Sequence, residues 1–127
     1  MSIRTPLARV RGLGAAKTGV GHFWAQRLTA VALVPLTIWF LGSIIAFAGA
    51  DYDTVTNYLR NPVVTVLFVL FLGTAFTHMK LGLRVVVEDY ITRESTKIAL
   101  LVLIDFFTYA TAALAIFSVL QIAWTHP

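Results

Sequence analysis

The chain has 127 residues, 58% of them hydrophobic and 13% charged, with a mean hydropathy of +0.81, which is too apolar for a soluble domain of this length. There is no cysteine, so disulfides, thiolate metal sites and chain-borne iron–sulfur clusters are excluded. The net charge of +4 sits beside apolar runs rather than on a polar face, so it is not the footprint of a nucleic-acid-binding protein.

Residues 1–24 form a basic arm in which Arg4, Arg9, Arg11 and Lys17 stand without an acid. The arm has the charge of a transit peptide. No short apolar core with a cleavage site follows it, so it does not read as a secretory signal. Gly12, Gly14, Gly19 and Gly21 argue against a continuous helix here. The expectation is a loose, lipid-touching cytoplasmic arm with at most one short helix.

The first span is predicted at about residues 25–50, starting near His22–Ala25 with Arg27 one turn inside. Pro35 removes a backbone hydrogen bond in mid-span, which predicts a mild kink. Gly49-Ala50-Asp51 closes the helix. Asp53 or Thr54 is predicted to cap a short surface helix ending at Leu59. Asn61-Pro62 then restarts the chain as an N-cap followed by proline at the first helical position. A second span follows at about 63–90, then a tight turn over Thr92–Thr96 and an antiparallel third span at about 97–124. Each run is long enough to cross the hydrocarbon core, where only helices satisfy their own backbone. No alternating pattern suggests a β-barrel.

Trp24, Tyr52, Tyr58 and Trp124 fall where interfacial aromatic anchors belong. Arg93 and Lys97 lie in the second loop, whereas the first loop holds Asp51, Asp53 and only Arg60. The positive-inside rule therefore puts the N-terminus and second loop in the cytoplasm, and the first loop and C-terminus on the far side. The fold class is an all-α membrane protein with three transmembrane helices, residues 25–127 forming one domain. There is no internal repeat, and three spans without an inverted repeat argue against a transporter.

Ionisable groups inside a span are rare and usually functional. His78 is such a group, and it shares one helix face with Gly82, Val85 and Asp89 to within about 40°. Two roles fit His78: a hydrogen bond to a carbonyl of a neighbouring helix, or ligation of haem iron, with Thr74, Ala75 and Gly82 leaving room for a porphyrin or equally for a close helix contact. A second axial ligand is then expected from another chain, since His22 is shallow and His126 lies at the opposite surface. Arg27 has the depth either to snorkel or to meet a haem propionate.

Lys80, Arg84 and Glu88 form a second stripe, read as snorkelling cations with a weak Arg84–Glu88 pair. Asp105 is an acid about 10 Å into the third span. An isolated carboxylate there is costly, and the antiparallel register places it opposite Lys80, or failing that Arg84. Asp89-Tyr90 ends the second span about 17 Å beyond His78. An acid there opposes the helix dipole. A phenol donor beside a carboxylate suits quinone reduction.

The run His78-x-x-x-Gly82-x-x-x-x-x-x-Asp89-Tyr90, on the second of three spans, resembles the hydrophobic membrane anchor of bacterial-type succinate dehydrogenase, respiratory complex II. The segment Gly21-His22-Phe23-Trp24-Ala25-Gln26-Arg27-Leu28-Thr29-Ala30 resembles the same family's first-helix start. The likeness covers nearly the whole chain in topology and these two stretches in motif. It implies that His78 is an axial ligand of haem b, the other coming from a second membrane anchor, the cytochrome b subunit. It implies further that Arg27 lies near the propionates, that Tyr90 hydrogen-bonds ubiquinone and that Asp89 supports that site. An iron–sulfur subunit and a flavoprotein are the implied soluble partners. The bacterial inner membrane is the implied location, with the mitochondrial inner membrane as the alternative. Such a chain is not catalytic alone. Lys80 and Asp105 match no motif of the family and rest on geometry. The competing assignments are the anchor of a menaquinol:fumarate reductase and a haem-free scaffold or small transporter component.

Overall fold

A computed structural model describes the backbone of residues 16–125 and the side chains of residues 20–125. Arg4, Arg9, Arg11 and His126 lie outside the described residues. Among the described residues four helices follow in order: α1 (Ala16–Phe47), α2 (Tyr52–Arg60), α3 (Pro62–Tyr90) and α4 (Glu94–Trp124). No strand occurs among the described residues. α1 from Val20, α3 and α4 are each long and apolar enough to cross a membrane.

α1 starts at Ala16, not near His22–Ala25, and runs through Gly19 and Gly21. A glycine in a helix interior costs about 1 kcal/mol relative to alanine. A lipid-facing segment loses more by leaving its backbone unpaired, so helix wins over the glycine signal. The helix also continues through Pro35. It stops at Phe47, where Gly49 adopts φ +79° and Ala50 N–H bonds back to the Phe47 carbonyl at 3.0 Å.

α2 begins one to two residues before the predicted caps, with Asp51 in the N-cap position. The Asp51 side chain makes no bond to the helix backbone; it accepts instead from the Thr54 hydroxyl. That hydrogen bond holds the exposed Asp51 carboxyl below its ordinary value. At the next junction Asn61 Oδ1 accepts from Val63 N–H at 3.0 Å, with Pro62 at the first helical position. Residues 91–93 make the turn into α4.

α3 is the middle layer. It packs against α4 on one side and α1 on the other, while α1 and α4 make no comparable contact. The α1–α3 seam is aromatic in the half nearer α2: Phe68 meets Trp39 and Phe40 edge-on at 4.9 and 5.9 Å, and Phe71 stacks on Phe40 at 4.6 Å. α2 lies across the ends of α3 and α4. Arg60 donates to the Ile122 carbonyl at 3.4 Å, and the Thr65 hydroxyl donates to the Leu59 carbonyl at 2.8 Å. Tyr58 is not a free interfacial anchor, because its ring stacks on Phe47 and its hydroxyl is 2.7 Å from Ser43 Oγ. Trp24, Tyr52 and Trp124 are exposed.

Among the described residues only Val64 and Val87 are buried hydrophobics, and neither is fully enclosed, while Leu28, Ile45 and Phe106 are more than three-fifths exposed. The chain therefore has little core of its own. Its apolar faces need lipid or another protein to cover them.

Candidate functional site

The row arrangement leaves a groove between α1 and α3 at the end away from α2. Two clefts follow each other along it. The first, about 370 Å³, is lined by His22, Phe23, Gln26 and Arg27 of α1 and Leu81 and Val85 of α3. The second, about 340 Å³, is lined by Ala30, Leu33, Val34, Thr37 and Ile38 of α1 and by His78 of α3. On α1 these side chains recur at three- and four-residue spacing, so they form one helix face.

His78 is half-buried on this groove. Its Nδ1 is 3.0 Å from the Thr29 hydroxyl of α1. The described residues offer its other ring nitrogen no hydrogen bond. Arg27 is exposed at the mouth of the first cleft, with its guanidinium carbon 5.1 Å from the centroid of the Phe23 ring. His22 lines the first cleft and His78 the second, so this chain does not bring the two imidazoles to one cleft. Among the described residues no group of three or more His, Asp or Glu side chains could hold a metal ion. Any metal on His78 needs ligands from elsewhere.

Gly82 faces α1 at Gln26: a Cβ placed there would meet Gln26 Nε2 at 3.9 Å. That is ordinary contact, so the position accepts a methyl group and restricts anything larger. Gln26 Oε1 is buried without a hydrogen-bond partner. Asp89 and Tyr90 end α3 on the surface, with Tyr90 79% exposed. The described residues give neither side chain an intrachain hydrogen bond.

A separate polar cluster joins α3 to α4. The Asp105 carboxylate accepts from Arg84 Nη1 at 3.2 and 3.3 Å and lies 3.6 Å from Lys80 Nζ. Lys80 also donates to the Tyr109 hydroxyl at 2.7 Å. Arg84 thus pairs across the hairpin with Asp105, and the predicted Arg84–Glu88 pair is not among the ion pairs of the described residues. Interhelical geometry puts both cations nearer Asp105 than a same-helix acid, and pairing removes the cost of a lone charge at this depth. Thr29 and Gln26 escaped the sequence reading. The available signal is their place in the Gly21–Ala30 segment.

Residues 1–117 match the family described as succinate dehydrogenase/fumarate reductase transmembrane subunit. The chain is 29% identical to the succinate dehydrogenase hydrophobic membrane anchor subunit of Rickettsia bellii (strain RML369-C) over 108 residues, covering 85% of this chain and 86% of the relative. It is 29% identical to the protein of that name from Paracoccus denitrificans over 114 residues, covering 90% and 88%. It is 28% identical to the succinate dehydrogenase membrane anchor subunit of Reclinomonas americana over 91 residues, covering 69% and 76%. No solved structure gives a significant match.

Proposed function

The chain belongs to the succinate dehydrogenase/fumarate reductase transmembrane subunit family, and from that premise we propose that it anchors a succinate:quinone oxidoreductase, binds haem b jointly with a second membrane anchor and forms part of the ubiquinone site. The family and the three spans make it a multi-pass protein of the bacterial inner membrane. The anchor role brings it together with the catalytic subunits of such a complex. The partners proposed here are a flavoprotein, an iron–sulfur subunit and a cytochrome b subunit. The exposed apolar faces of α1 and α4 support contacts with that second anchor and with lipid.

The observation that carries the haem reading is the His78 ring. One nitrogen is held by Thr29 and the other is unclaimed on a groove walled by Ala30, Leu33 and Val34. These residues fit the group: one neutral imidazole as an axial ligand, apolar walls for the macrocycle, and Arg27 as a cation for its carboxylates. When bound, haem b would supply a one-electron store. Arg27 would balance the charge of its propionates. The proposed orientation places the Tyr90 end of α3 at the cytoplasmic surface, where the soluble partners dock. There the Tyr90 phenol donates to a quinone carbonyl. Asp89 accepts from water beside the phenol and returns protons that quinol formation consumes. Lys80, Arg84 and Asp105 act structurally, tying α3 to α4.

Purification of the tagged chain from its native membranes tests the assignment. The expected preparation contains all four subunits, reduces quinone with succinate and yields ubiquinone on extraction. Menaquinone with faster fumarate reduction would favour the fumarate reductase alternative. A chain that purifies without flavin or iron–sulfur protein would favour the scaffold.

A further inference from the structure

Thr29 stands at the point where α1 touches the His78 ring, and its single hydroxyl proton decides which nitrogen of that ring is free. The Thr29 oxygen lies 2.7 Å from the Ala25 carbonyl, 3.1 Å from the Gln26 carbonyl and 3.0 Å from His78 Nδ1. Two oxygens 2.7 Å apart are at the usual O–H···O distance. Without a proton between them they repel. The carbonyls only accept, so the proton is directed back along the helix to Ala25, as threonine hydroxyls in helices do. The hydroxyl then faces His78 with lone pairs only. A neutral imidazole carries one N–H, so the contact with Thr29 requires that proton to be on Nδ1.

We infer that Thr29 is a positioning residue for His78: its hydroxyl accepts from Nδ1–H, fixes the ring's tautomer and rotation, and leaves the Nε2 lone pair as the ligating atom on the α1–α3 groove. This rests on the reading of His78 as a haem ligand. A ligating histidine's other N–H sets both ring orientation and ligand basicity. The acceptor here is a hydroxyl already committed to a carbonyl, so it holds the proton without removing it. The imidazole's donation to a bound iron would be modestly strengthened. Thr29 lies one turn after Gln26 on α1 and reaches across to His78 of α3. It therefore links the α1–α3 packing directly to the ligand.

The experiment uses the purified complex in three forms: unmodified, Thr29→Val and Thr29→Ser. Valine keeps the branched shape and removes the acceptor, while serine keeps the hydroxyl. Haem per flavin, the low-spin ferric EPR signal and the haem midpoint potential are read for each. One neutral hydrogen bond shifts an equilibrium by about threefold to tenfold. The expected result for Thr29→Val is a shift of that size in the ferric–ferrous equilibrium towards ferrous, with a broadened EPR signal. Thr29→Ser should stay close to the parent.

A complex with full haem in which Thr29→Val matches the parent in both signals overturns the role of Thr29 and leaves His78 as ligand untouched. An unmodified complex without haem overturns the reading of His78 itself. If Thr29→Val does not assemble, solid-state ¹⁵N NMR of the histidine-labelled parent in its diamagnetic ferrous state decides the matter. A protonated Nδ1 is expected, and an unprotonated Nδ1 overturns the inference.

Discussion

Arg84 donates to both oxygens of Asp105, at 3.2 and 3.3 Å, across the hairpin formed by α3 and α4. With Lys80 at 3.6 Å, one carboxylate faces two cations. Neither partner is fully withdrawn, at 27% and 35% exposure for Arg84 and Asp105. The pair is therefore worth less than a dry buried ion pair. Asp105→Asn keeps the shape and a hydrogen-bond acceptor while stranding one positive charge. The expected cost is about 1 kcal/mol, read as a Tm decrease of a few degrees for the solubilised complex. Quinone reduction should be retained. A large loss of turnover with an unchanged Tm would instead make Asp105 part of a proton path.

The exposed end of α3 separates docking from chemistry. Tyr90→Phe removes a donor and nothing else from a side chain that makes no intrachain hydrogen bond in the described structure. Succinate:quinone reductase activity should fall by about a hundredfold or more, the scale on which a positioned proton donor contributes. Succinate oxidation by a soluble dye that accepts upstream should be unchanged. Equal loss of both activities would mean that Tyr90 holds the assembly together.

At the opposite end, Asp51 and Thr54 offer a pH-dependent test. The Thr54 hydroxyl lowers the Asp51 pKa. A depressed carboxyl pKa gives stability that is present above the unfolded value and lost as pH falls through the folded one. Thr54→Val should move the Asp51 pKa back up towards the ordinary aspartate range, measured by ¹³C-carboxyl NMR titration. An unmoved value would show that the hydroxyl is not the cause. The effect on overall stability should be small, because Asp51 is fully exposed.

How far these features can be read from sequence depends on whether their causes are local. The three spans follow from uninterrupted apolar length, and Asn61-Pro62 marks the start of α3 because both residues have strong, short-range preferences at a helix N-terminus. The partner of Asp105 was accessible because a tight turn sets the register of two antiparallel helices. The start of α1 was not, because Gly19 and Gly21 are weak helix breakers in water and the cost of unpaired backbone in lipid overrides them. Nothing local says that α3 would be the middle layer. That order arises from side-chain fit, with Trp39, Phe40, Phe68 and Phe71 closing the α1–α3 seam. The Thr29–His78 contact joins residues 49 apart in sequence, so it becomes visible only once that seam is known. On the site chemistry, His78, Arg27, Asp89 and Tyr90 were singled out by residue type and depth. Their cofactor roles rest on the groove and the proposed function.

The proposed function requires His78 to hold haem, and a reduced-minus-oxidised absorption spectrum of the purified complex measures this most directly. The comparison is between the unmodified complex and His78→Leu, which keeps the span apolar and removes the nitrogen ligand. A b-type haem band is expected in the parent and should be lost or strongly shifted in the variant, with flavin content and dye-linked succinate oxidation retained. A parent without the band, or a His78→Leu complex with an unaltered band, would contradict it.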